Sequence, residues 1–220
     1  DGIRDLVRSR GLGDVYKRQM ISTQLFKKIK PLIFFAIFLP SLFWSYQFIN
    51  GALGVNPIEK LMDNMGEMAL RLIVLTLFIS SLSEFKKFRF LIEVRRMIGL
   101  FAFFYVTCHF LIYIALDHFF DMTFIIKDII KRPFITFGFI SFIFLIPLAI
   151  TSPKIMVKKL GFKVWKKIHY LIYPAAILSS VHFYMLVRAN KIEPAIYIFL
   201  ILVLLLYRLY YKIIHPQLVR

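Results

Sequence analysis

The chain has 220 residues and a mass of 26.0 kDa; 60% of the residues are hydrophobic, 25 are phenylalanine, and the mean hydropathy is +0.73. Soluble domains carry about 45–50% apolar residues, and one of this size has no interior large enough for such a surplus, so a soluble enzyme is excluded. The formal net charge of +17 sits in short stretches between apolar runs rather than on a polar domain, which points to an integral membrane protein and not to nucleic acid binding.

Residues 1–19 are polar, lack the apolar core of a signal peptide and stop at Met20, where MISTQLFKKIKP reads as the start of a membrane protein. They are read as a non-native leader, with a native cytoplasmic tail as the duller reading. Residues 20–30 then form a cytoplasmic segment, 31–212 a six-helix transmembrane domain and 213–220 a cytoplasmic tail. Six apolar stretches, near 31–49, 66–84, 97–117, 133–151, 168–187 and 195–211, are each long enough to cross a hydrocarbon core of about 30 Å as a helix. The expected fold is an all-α, polytopic six-helix bundle. The connections at 50–65 and 152–167 hold 16 residues each and leave no room for a soluble domain.

Charge orients the bundle. Seventeen basic residues fall on the side of the N-terminal segment, the second-to-third and fourth-to-fifth connections and the tail, against six on the other side. The positive-inside rule puts both termini in the cytoplasm. The single cysteine, Cys108, excludes an internal disulfide, a four-cysteine iron–sulfur site and a CxxCH haem attachment.

His118 and His215 fall at membrane edges, whereas His109, His169 and His182 fall within spans, where an ionisable group is costly and is a functional candidate. His109 lies 12 residues past Met97 and His182 lies 14 past Ile168, about 18 and 21 Å along parallel helices, so the two share a depth toward the exterior. Two neutral imidazoles at one level across a bundle suit the axial positions of a low-spin haem b. The competing reading is hydrogen bonding between helices or a proton path; the depth match, with Glu67 and Asp117 only at span ends, favours haem and argues against a proton-coupled transporter. His169 lies about 20 Å lower than His182 and about 140° away around an ideal helix, with Pro174 between them. It is read as a ligand of a second haem or as a residue beside the ligands or at a quinone site. Arg95 and Arg96, at the inner mouth of the third span, are read as propionate or quinone contacts or as positive-inside anchors. Arg71 is read as a contact to a propionate, a quinone or a flavin phosphate, or as an arginine snorkelling to the interface. Trp165, Tyr105, Tyr113 and Tyr173 fit interfacial anchoring and haem-edge packing alike. Gly138 and Ser141 allow the fourth span close approach to a neighbour.

Several motifs carry a family resemblance. Arg95-Arg96-x-x-Gly99-Leu100, Tyr105-x3-His109-x3-Tyr113, Lys131-Arg132-Pro133, Gly138-x2-Ser141, Thr151-Ser152, Lys159-Leu160-Gly161 and Trp165-x3-His169-x3-Tyr173, with His182 thirteen residues on, resemble the haem-binding subunits of the periplasmic protein-methionine-sulfoxide reductase system, the MsrQ (formerly YedZ) family. Asn50-Gly51-x-Leu53-Gly54-x-Asn56-Pro57 is similar to that family's first outer loop, and the likeness covers about 31–212. A more distant similarity is to ferric-reductase and NADPH-oxidase transmembrane domains. The resemblance implies a cytochrome b that takes electrons from the quinone pool and passes them outward to a periplasmic molybdopterin enzyme, MsrP, which reduces methionine sulfoxide in oxidised proteins. It implies haem b, one or two per chain, and FMN, for which no motif gives a site. The metal ligands would be His109, His182 and His169, with Arg95, Arg96 and Arg71 as cofactor contacts; catalysis itself would belong to the partner. The rival readings are a ferric or quinone reductase with another acceptor, and a non-redox transporter or scaffold.

Overall fold

The computed structural model describes residues 28–214, and all the regular structure in them is helical. The leader read at 1–19, residues 20–27 and His215 lie outside the described residues. In chain order the helices are α1 (Lys28–Ile49), α2 (Pro57–Leu82), α3 (Ile92–Ile112), α4 (Met122–Lys131), α5 (Pro133–Ile150), α6 (Lys154–Leu160), α7 (Phe162–His169), α8 (Ile172–Leu186) and α9 (Ile192–Ile214). A 3-10 segment, Lys86–Leu91, leads into α3, and a π turn, Tyr113–Asp117, ends it. By length and composition, α1, α2, α3 with its π turn, α5 and α9 can each cross a membrane.

The remaining apolar stretch is not one helix. It breaks at Tyr170–Leu171 into α7 and the 15-residue α8. Pro174 explains the place of the break. It has no N–H to give to the Tyr170 carbonyl, so the chain restarts a helix in which Pro174 stands in the first turn, where proline is tolerated. The expected 140° offset between His169 and His182 assumed a continuous helix and does not apply across this break. α2 also differs, beginning at Pro57 rather than near 66, because Pro57 starts the helix whereas its first turns are too polar to register as a span. Asp63 and Glu67 therefore stand well inside a 26-residue helix.

α2 is the centre of the bundle and packs most extensively on α3; α5 packs most extensively on α8. The core runs through Leu61, Met65, Ile73, Ile98, Ala102, Ala175 and Ala176. Tyr105 is fully buried in this core and donates to the Ile37 carbonyl at 2.5 Å, tying α1 to α3; it serves neither as an interfacial anchor nor at a cavity edge. Ser141 does the same for α5 and α8, donating to the Ala175 carbonyl at 2.8 Å. Phe35, Leu39, Phe43, Ile143, Phe199 and Leu202 stand exposed on α1, α5 and α9, as helices solvated by lipid require. Gly161, at φ +75° and ψ 149°, makes the turn between α6 and α7 in a region open essentially to glycine alone.

Candidate functional site: a histidine pair in glycine cradles

A cavity of about 600 Å³ lies between α2, α3, α5 and α8, within the size range of small-molecule and cofactor sites. His109 and His182 both line it. Their ring centres are 6.3 Å apart and their planes stand at 82°. Each imidazole is held by a helix other than its own. His109 Nδ1 lies 2.8 Å from the Met62 carbonyl on α2, and His182 Nδ1 lies 2.6 Å from the Phe134 carbonyl on α5. A carbonyl only accepts, so Nδ1 carries the proton in both rings and Nε2 keeps its lone pair. That is the tautomer of a metal-bound histidine, with the far N–H fixed by a backbone oxygen.

The rings come so close because a glycine stands beneath each. A Cβ at Gly66 would lie 2.9 Å from His109 Nδ1, and one at Gly138 would lie 2.8 Å from His182 Nδ1. The separation of the rings also suits a shared metal. Two imidazoles that shared one metal, each at a metal–nitrogen distance of about 2.0–2.1 Å, would have ring centres about 6 Å apart. Haem iron takes four ligands from its macrocycle and asks the protein for two. The tautomers, cradles and spacing therefore fit a bis-histidine haem. Val106, Phe110, Phe139 and Phe142 supply apolar walls.

The mouth of the cavity is acidic. Glu59, Asp63, Glu67, Asp117, Asp128 and Glu193 all line it, with Arg132 and His118. Asp128 is buried and accepts from Arg132 Nε at 2.7 Å and from the Tyr113 hydroxyl at 3.2 Å. His118 packs on the Tyr113 ring at 4.4 Å, with Nδ1 3.0 Å from an Asp117 oxygen but without the alignment of a hydrogen bond. Tyr113 and Asp117, both lining the cavity, belong to the π turn, and such turns recur at functional sites. The sequence reading placed Asp117 and His118 at a membrane edge and passed over Asp128. The polar spacing of α4 gives no hint that its aspartate is buried beside Tyr113 of the π turn.

The other expected site residues stand elsewhere. His169 does not line this cavity: its Nδ1 lies 3.1 Å from the Trp165 carbonyl of its own helix, and its ring lies 4.0 Å from that of Trp165. Trp165 in turn donates to the Thr151 carbonyl at 3.0 Å. Arg95 reaches Ser80 Oγ at 3.5 Å and Arg96 donates to Ser152 Oγ at 3.1 Å, both at the end of the bundle that carries the basic connections. Arg71 lies outside the cavity lining. It bonds Glu67 at 2.7 Å and the Tyr197 hydroxyl at 3.1 Å, with Glu193 at 3.7 Å, and so joins α2 to α9. Sequence reasoning missed Gly66 altogether. Its only signal was a glycine inside an apolar helix, which also fits loose packing.

Comparison with known proteins places the chain. The family described as ferric reductase like transmembrane component matches residues 65–180. A protein-methionine-sulfoxide reductase heme-binding subunit MsrQ from Herminiimonas arsenicoxydans is 42% identical over 186 residues, covering 83% of this chain and 85% of that one. The chain belongs to the MsrQ family. Proteins of the same name from Caulobacter vibrioides and Rhodospirillum rubrum are 41% and 42% identical, each over 85% of its own length. Within this MsrQ-family chain the matched ferric-reductase segment holds Gly66, His109, Gly138 and His169, and ends two residues short of His182.

Proposed function

We propose that this chain is the haem-binding membrane subunit of a methionine-sulfoxide reductase, carrying electrons from the quinone pool to a periplasmic molybdopterin catalytic subunit, MsrP, that repairs oxidised proteins. The observation that carries the reading is the pair of cradled imidazoles at 6.3 Å in a chain so similar to MsrQ subunits. His109 and His182 hold the iron of haem b, each presenting Nε2 with its proton parked on Nδ1. When bound, haem supplies reversible one-electron transfer. The phenylalanines around the pair exclude water, and Arg132 at the mouth, beside Asp128, can approach a propionate. His169, Arg95 and Arg96 form the opposite level, as ligand and anion contacts for a second haem or a quinone; Arg71, paired with Glu67 and Glu193, ties α2 to α9 instead. FMN is a further cofactor by likeness to the family. The positive-inside count supports a bacterial inner-membrane protein with both termini on the cytoplasmic side and the histidine pair toward the periplasm.

The test is a reduced-minus-oxidised visible spectrum of the purified protein, with haem quantified per chain. A sharp low-spin b-type signal, lost in His109→Ala and in His182→Ala, is expected. A colourless protein after expression with ample haem, or an unchanged signal in both variants, overturns the reading. Reduction of methionine sulfoxide by the partner that depends on this chain separates the proposal from a ferric or quinone reductase.

A further inference from the structure

The two histidine cradles are one device used twice. On α2, Met62 offers a carbonyl and Gly66, one turn on, offers an empty side-chain position; His109 of the neighbouring α3 fills it. On α5, Phe134 offers the carbonyl and Gly138 the empty position, and His182 of α8 fills it. Gly66 precedes His109 by 43 residues and Gly138 precedes His182 by 44. Not every glycine in the bundle acts this way: a Cβ at Gly99, on α3, would meet only Thr76, at an ordinary 3.8 Å. Because each ring is clamped by a different helix, the angle between the ring planes, 82°, is set by how the two helix pairs are packed.

We propose that Gly66 and Gly138 are positioning residues that hold the two axial imidazoles nearly perpendicular and thereby set the electronic signature of the iron they ligate. This rests on the haem reading above. The orientation of axial ligand planes is one of the levers a protein has on haem iron. Parallel imidazoles split the iron d orbitals strongly and give a rhombic low-spin ferric spectrum. Perpendicular ones leave two orbitals close in energy and give a highly anisotropic one. The carbonyl bond at each Nδ1 also makes each imidazole a stronger donor, favouring ferric iron and a lower potential.

The experiment is low-temperature EPR of the oxidised holoprotein together with a potentiometric titration, on the wild type and on Gly66→Ala, Gly138→Ala and Gly99→Ala. His109→Ala identifies the signal that belongs to the pair. The wild type is expected to show a highly anisotropic low-spin signal. Each cradle variant, in which the new methyl displaces the ring and stretches its carbonyl bond, moves that signal toward rhombic and shifts the midpoint potential upward. Gly99→Ala leaves both in place. Loss of haem in a cradle variant that still elutes as the wild type does counts with the proposal. A rhombic wild-type signal, which needs no variant to fold, overturns it, as does an unmoved spectrum and potential in both cradle variants. Low-spin haem retained in both His109→Ala and His182→Ala instead sinks the ligand assignment beneath it.

Discussion

The two ends of the bundle use histidine differently. At the acidic end, His109 and His182 are each clamped by the carbonyl of another helix, and both reach one cavity. At the basic end, His169 bonds within its own helix and lies on Trp165, while Arg95 and Arg96 turn to serines. The difference lies in what the neighbouring helix offers. A ring can be pressed against a foreign backbone only where that helix lacks a side chain, as at Gly66 and Gly138. Without such a gap His169 turns to a carbonyl four residues back, that of Trp165, and the ring stays with its own helix.

The largest effect expected to sharpen that contrast is spectral. His169→Ala should leave the low-spin signal of the acidic-end pair intact while removing any second haem, so haem per chain falls from two to one where the wild type carries two. A loss of the pair's own signal in that variant would break the separation of the two ends.

A smaller effect should appear in stability. Asp128 is buried and gathers Arg132 and Tyr113, so Asp128→Ala leaves the Tyr113 hydroxyl without its acceptor and should destabilise the protein by about 1–3 kcal/mol. A lowered thermal midpoint in detergent would register it; an unchanged midpoint would mean that the cluster is solvated. The smallest effect is expected at Arg71. Its side chain is 46% exposed at the surface of the bundle, beside Glu67 and Glu193, so Arg71→Gln should cost less than about 1 kcal/mol and leave the haem spectrum unchanged. A spectral change there would put the guanidinium at an anion of the cofactor, one of the readings the sequence alone allowed.

Much of the fold was legible in the chain. Apolar runs of about 20 residues have few other uses, and basic connections have a preferred side. The equal depth of His109 and His182 followed from counting residues along rising helices. Where the reading went astray, the cause was local. Hydropathy could not see that α2 begins at polar residues after Asn56, and it could not see that Pro174 stops one helix and starts another. Tyr105 fitted interfacial anchoring and haem-edge packing alike, because a tyrosine has an apolar ring and a polar tip; only the Ile37 carbonyl on a different helix explains its burial.

By itself the sequence determined that this protein lies in a membrane, where most of its long apolar helices fall, and which histidines stand level. Those properties depend on spacing along one chain, which a helix turns directly into height. The tertiary structure alone decided which rings meet, at what angle, and over which backbone. A glycine's missing side chain has meaning only once a neighbouring helix has brought something to fill the gap.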